Sequence, residues 1–214
     1  MKHLKTILLV VLIASVVPQA AAQHRKKSSS RQFDFELRGG INMCQIDGDA
    51  SANYNKPGFH ASVGTTMPIS DDGLWRFGIE IGLSQKGSKI SNSSLDRHIS
   101  LLYIEVPIMI GRDLLDGNKL RIAAGVAPAI LAKSNVTTDG AYDALQSDNY
   151  KRMDLLPLCA SVRYRFNDHI GADLRFYNSM LNIAYENGSG TYRIFRSNKG
   201  QFNRLLQAGI TVDF

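Results

Sequence analysis

From residue 33 onward the chain alternates apolar and polar side chains almost without interruption. Phe33-Asp34-Phe35-Glu36-Leu37-Arg38-Gly39-Gly40-Ile41-Asn42 changes character nearly every step. That is the period of a half-buried strand, where a helix would repeat every three to four residues. Seven further segments share the period, at 59–67, 75–84, 102–110, 120–127, 158–166, 170–177 and 205–214. The pattern predicts eight strands and requires no helix.

The connections alternate as well. Segments 68–73, 111–118 and 167–169 are short and rich in Asp, Asn and Gly, whereas 43–57, 87–98, 133–153 and 184–202 are long and polar. Strict short–long alternation puts every tight turn at one end and every long loop at the other. Outer-membrane barrels have this layout, with the short turns in the periplasm. Greek-key sandwiches do not sort their loops this way. The expected fold is all-β, an eight-stranded antiparallel transmembrane barrel running as an up-and-down meander with both termini periplasmic.

A soluble lipocalin-like barrel also has eight alternating strands, so the two faces have to be told apart. Phe33, Trp75, Phe166 and Phe214 fall on the apolar face at the short-turn end, and Phe59, Phe176 and Phe202 at the loop end. Two aromatic girdles around an aliphatic band fit the interfaces of a bilayer. The other face carries Arg38, Arg76, Arg121, Arg163, Arg165 and Arg175 against Asp34, Glu36, Glu80, Glu105, Asp173 and Asp213. Equal numbers of bases and acids suit a narrow lumen in which each charge must find a partner. A filled, salt-bridged core with little conduction follows. Pro107 interrupts the fourth strand, which predicts a bulge there, with Glu105 pairing Arg76 or Arg121.

Composition narrows the setting. At 44% hydrophobic and 21% charged, the 214-residue chain is too apolar to be disordered. Residues 1–22 read as a cleaved signal peptide: Lys2 and Lys5, an apolar run from Ile7 to Val17, and Ala20-Ala21-Ala22 before Gln23. Its loss lowers the net charge from +6 to +4. Residues 23–32 form a basic periplasmic tail and 33–214 the barrel domain. No basic run interleaves with aromatics, so nucleic acid is not an expected partner.

Candidate chemistry is sparse. Among the histidines none stands at metal-ligand spacing, and no cofactor motif occurs. Asp47-Gly-Asp49 lacks the further acids of a calcium site. His98 and Ser100 share a strand face and are the nearest approach to a lipid hydrolase, but such proximity arises easily in polar segments, so no enzyme is expected. Cys44 and Cys159 both point inward on strands that are not neighbours, which favours two free thiols over a bridge. In the fourth loop Tyr192, Arg193, Phe195 and Arg196 mix aromatics with bases and are candidate contacts for a surface ligand.

Several short elements occur in order along the barrel: Leu37-Arg-Gly-Gly-Ile-Asn42, Pro57-Gly-Phe-His-Ala-Ser-Val-Gly64, Leu83-Ser-Gln-Lys-Gly-Ser88, Tyr103-Ile-Glu-Val-Pro-Ile-Met109, Gly125-Val-Ala-Pro128 and Phe176-Tyr-Asn178. Together they resemble the PorT-like outer-membrane β-barrel family over residues 33–214. The resemblance implies an integral barrel in the outer membrane of a diderm bacterium, in contact with its lipid and lipopolysaccharide. It also implies insertion by the barrel-assembly machinery through a C-terminal aromatic such as Phe214. It supplies no catalytic residues. The expected role is structural or surface-interacting through the loops. Rivals are an accessory part in protein secretion, a lipid-modifying barrel enzyme and the soluble carrier.

Overall fold

The computed structural model describes residues 33–49, 54–92, 95–115, 119–185 and 200–214. The leader and basic tail, and the loop residues Tyr192, Arg193, Phe195 and Arg196, lie outside them. The strands are β1 (Asp34–Asp47), β2 (Lys56–Pro68), β3 (Trp75–Asn92), β4 (Leu95–Glu105), β5 (Ile108–Leu114), β6 (Leu120–Val126), β7 (Ala129–Thr138), β8 (Ala141–Tyr142), β9 (Met153–Asp154), β10 (Pro157–Arg165), β11 (Ile170–Ser179) and β12 (Phe202–Asp213). A short helix, α1 (Ala144–Asp148), follows β8.

All pairings are antiparallel. β1 pairs β2 and β12, β2 pairs β3, and β3 pairs both β4 and β5. β4 pairs β7, β5 pairs β6, β6 pairs β10, β10 pairs β11, and β11 returns to β12. β4 with β5, β6 with β7, and β9 with β10 are each one interrupted stave, so the sheet closes into an eight-membered ring. Closure leaves no unpaired edge, which is what lets strands cross lipid.

The three interruptions lie side by side, each at a proline: Pro107, Pro128 and Pro157. The ladder continues across them through the proline carbonyls, which accept from the N–H groups of Glu80, Val106 and Ala127, each at 2.9 Å. Proline has no N–H to donate, so a ladder hydrogen bond is lost where it occurs. The register does not shift across Pro107 or Pro128: Gly82 faces Glu105 and Ile79 faces Ile108, while Glu105 faces Ala129 and Ile108 faces Val126. The bulge expected at Pro107 is absent: the stave loses a donor there without gaining an extra residue, and the register shift on this stave lies at Leu102/Tyr103 instead.

The outward face carries exposed Ile41, Ile79, Ile81, Ile110, Ile122, Val162, Leu174 and Ile210. An apolar belt around a whole barrel exceeds what a monomer turns toward water. Its solvent is lipid, which removes the soluble carrier. Phe33, Trp75, Phe166 and Phe214 are exposed at the short-turn end, where the Arg112 guanidinium lies 5.7 Å from the Trp75 ring. Phe59 and Phe176 are exposed at the other end. Phe202 is not: it is 1% exposed, above the lipid band, with its ring against Gly200.

The polarity pattern also predicts loops at 43–57 and 87–98 and no helix. Much of those segments is strand instead, β1 reaching Asp47, β3 reaching Asn92 and β4 starting at Leu95. The reason is an inversion of polarity. Low on the β4–β5 stave, Ile104 and Ile110 face out while Glu105 and Asp113 face in. High on it, Asp96 and His98 face out while Ile99, Leu101 and Tyr103 are buried inside. Above the lipid the strand obeys the rule of a water-soluble sheet, and the change of sense reads as a loop. In 133–153 the chain forms the β7–β8 hairpin and α1, which is capped by Asp143 accepting from Gln146 N–H at 3.0 Å. Ser147 ties the helix to β7, its hydroxyl accepting from Val136 N–H at 3.0 Å.

Short turns close the opposite end. In 167–169 the Asn167 carboxamide accepts from the N–H groups of His169 and Ile170 at 2.9 and 2.8 Å. In 69–74 the Ser70 hydroxyl and Leu74 N–H both donate to Asp72, which holds its carboxyl below the usual range.

Gly125, on the inner face of β6, tests the packing of the ring. A Cβ there would meet Ile108 O at 2.0 Å and Met109 Cα at 2.8 Å, both backbone atoms that cannot swing aside. Gly125→Val is expected to prevent β5–β6 pairing and abolish the folded, heat-modifiable band on a gel. A full yield of that band would contradict the register.

Candidate functional site in the lumen and at the loop end

Alternation sends every second side chain of each stave inward, and in this ring those side chains meet. In the short-turn half, Arg163 Nη1 donates to Glu36 at 2.6 Å and its Nη2 donates to Asp213, which also faces Arg165 Nε at 3.3 Å. Arg76 donates to Asp34, and Arg121 forks Asp113 at 2.5 and 3.0 Å. One layer further in, Asp173 lies between Arg38 Nε at 2.7 Å and Arg175 Nε at 3.1 Å. Arg175 then forks Glu80 at 2.5 and 3.0 Å, and Ser62 also donates to Glu80. The order continues through neutral groups: Arg38 to Gln207, Gln207 to Ser84, and Asn42 to Ser84, with His60 Nδ1 2.8 Å from Asn42 Oδ1.

Two buried apolar clusters fill the lumen above these layers. The lower holds Cys44, Met109, Cys159, Tyr177 and Leu205; the upper holds Ile46, Ile99, Leu101, Tyr103, Val136, Tyr150 and Ile183. Lys86 joins them. Its ammonium lies 5.0 Å from the Tyr103 ring and 5.6 Å from the Tyr177 ring, and pairs with Glu105 at 3.0 Å. Asp154, buried beside them, accepts from the Ser179 hydroxyl and from Asn203.

Glu105 therefore does not pair with Arg76 or Arg121. Arg76 stands opposite Gly111, near the short-turn end, and is occupied by Asp34. Arg121 stands opposite Asp113 and is occupied by it. The sequence reading missed Lys86, Asp113 and Asp154. Extending the alternation two or three residues past each predicted strand end would have found the first two: Glu80, Gly82, Ser84, Lys86 on β3 and Met109, Gly111, Asp113 on β5. No comparable signal marked Asp154.

Among these ion pairs lies a cavity of about 40 Å³ bordered by Glu36, Arg76, Glu80, Arg121, Arg163 and Arg175. That is room for about three waters. Both cysteines are free and buried, Cys44 donating to Gln85 O at 3.4 Å and Cys159 lying 3.8 Å from the Met109 sulfur. Ser100 accepts from Gln85 Nε2 at 2.8 Å while His98 points outward, exposed, above it. Asp47 pairs with Arg204 at 3.1 Å and Asp49 accepts from Ser88. Among the described residues no group of His, Cys, Asp and Glu is arranged to hold a metal ion. At the loop end Tyr142, Leu145 and Tyr185 are exposed, while burial in the upper cluster pushes the Tyr150 phenol up.

The family model for the outer membrane protein beta-barrel domain matches residues 21–185. No curated protein matches the chain. Among solved structures, Neisserial surface protein A shares 13% identity at a TM-score of 0.52, with 84% of this chain and 97% of that one covered. Ail of Yersinia pestis shares 10% identity at 0.49, covering 86% and 99%. OprG of Pseudomonas aeruginosa shares 14% at 0.41, covering 86% and 97%.

Lys86 is the test of the lumen. Lys86→Met leaves Glu105 buried without its cation, at a cost of about 3–5 kcal/mol. The urea midpoint of the heat-modifiable band should fall accordingly. The double variant Lys86→Met/Glu105→Leu should recover most of the loss, since an apolar pair of similar volume replaces a buried ion pair well. A single variant as stable as the parent would show that the two charges do not depend on one another.

Proposed function

The chain belongs to the outer membrane protein beta-barrel domain family, and from that premise we propose that it is a closed barrel of the outer membrane that works through its extracellular surface. The observation that carries this is the polarity inversion. Below it ion pairs and apolar plugs fill the lumen, so the described residues leave no wide path for solutes. Above it the staves continue as a water-facing wall around their own buried core, Ile46, Ile99, Leu101, Val136 and Tyr150. A pore has no need of such a core. A rigid platform for contacts does, because binding surfaces work best on scaffolds that do not rearrange. Tyr142, Leu145 and Tyr185 stand exposed on that platform. The candidate contacts Tyr192, Arg193, Phe195 and Arg196 fall between β11 and β12 in the sequence, outside the described residues.

The PorT-like motifs imply the rival role, an accessory part in protein secretion. The filled lumen would restrict such a role to contacts with other components. The shared prediction of both roles is a silent barrel: reconstituted in planar bilayers, the protein should give no large, stable conductance. They separate in cells. On the surface-interaction reading, deletion leaves the profile of secreted proteins unchanged. Photo-crosslinkers placed at Tyr142 and Leu145 on intact cells then give discrete adducts, absent from a lipid-facing position such as Ile81. Export substrates trapped in the periplasm of the deletion strain would instead favour the secretion role, and steady channels would overturn both.

A further inference from the structure

The outer wall at the loop end is charged on one flank. Leu83, Ile104, Ile130 and Met153 form the last apolar row across β3, β4, β7 and β9, paired side by side and exposed. Immediately above, Lys133 stands opposite Leu102, and Arg152 precedes Met153. Two rows higher His98 stands opposite Lys89. All four side chains are exposed. The carboxylates of this flank sit higher still, at the hairpin tips, where Asp139 N–H donates to Asp96 O at 2.7 Å. Lys133 and Arg152 form no ion pair with any described residue, whereas across the barrel Arg204 is neutralised by Asp47.

Lys133 reaches this face through an irregularity. Ala129 and Leu131 point into the barrel, and an unbroken strand would send Lys133 after them. The β4–β7 register slips between Leu102 and Tyr103, whose partners are Lys133 and Leu131, so Ala132 is an extra residue. Bulges of this kind re-aim side chains: here Lys133 turns out and Val136 turns in, to 0% exposure.

We propose that this flank binds a phosphorylated glycolipid of the outer leaflet, with Lys133 and Arg152 on its phosphates and Lys89 and His98 reaching its outer anionic substituents. Lipid phosphates lie just beyond the hydrocarbon, at the level of the first cationic row. Arginine can grip a phosphate with two parallel hydrogen bonds. Basic residues in that layer each strengthen attachment to anionic lipid. The site depends on the outer-membrane placement and not on a partner at the exposed crown.

Native mass spectrometry of the full chain in uncharged detergent tests it, using bis-phosphorylated lipid A, the same lipid A stripped of phosphate, and inorganic phosphate. The phosphorylated lipid should bind roughly tenfold more tightly than the stripped one. Lys133→Ala/Arg152→Ala should erase that preference, and Lys133→Glu, a second variant at an exposed position, should do the same. Arg112→Ala/Lys119→Ala, at the opposite end, should leave it intact. Equal binding of the two lipids, a preference that survives both flank variants, or occupation of the site by inorganic phosphate alone would overturn the proposal.

Discussion

Ionised side chains inside a lipid-enclosed tube can stay ionised only by meeting one another. That constraint governs this molecule more than any apolar contact. Arg38 of β1 meets Asp173 of β11, Arg175 of β11 meets Glu80 of β3, and Arg163 of β10 meets Glu36 of β1. These pairs cross the lumen between staves that are not hydrogen-bonded neighbours, so they fix which staves face each other as well as which adjoin. Losing one partner strands the other in a site where water cannot replace it, at a cost of several kcal/mol. The same pairs occupy the space through which solutes would pass. On the proposed function, a stable interior and a silent one are a single property.

The constraint relaxes at the top of the lipid band, and the chain changes its habits there. Along β3 the outward side chains pass from Ile79, Ile81 and Leu83 to Gln85 and Lys89, while the inward ones pass from Glu80 to Ile90. Once the solvent outside is water, ordinary apolar burial can hold the staves together, and α1 and the β7–β8 hairpin complete the wall. Lys86 stands where the two regimes meet, its charge held by Glu105 and its ammonium against one aromatic from each apolar plug. The projecting part owns a core, which is the basis of the contact surface proposed for it.

Strict alternation made the membrane-crossing part legible from residues alone: the order of staves, the outward Trp75 and Phe214, the inward arginines of β10 and β11. The upper part was hidden by the inversion itself. His98 looks like loop because its polarity contradicts Leu102 and Ile104 on the same face. Identities of ion partners were also out of reach, since Glu105 could be matched to a cation only once the pairing register had set the relative heights of the staves. Lys133 shows the limit most clearly. Its parity with Ala129 and Leu131 points it inward, and only a one-residue bulge, invisible in the pattern, turns it out.

The inversion can be observed directly by collision of spin labels with oxygen and with a water-soluble nickel chelate, in a chain whose two buried cysteines are replaced by alanine. Ile104 and His98 lie on the same outer face of the same strand. A label at Ile104, like one at Ile81 or Leu174, should collide with oxygen and ignore nickel, and a label at His98 or Asn135 should do the reverse. Nickel contact at Ile104, or lipid-like behaviour at His98, would contradict the account.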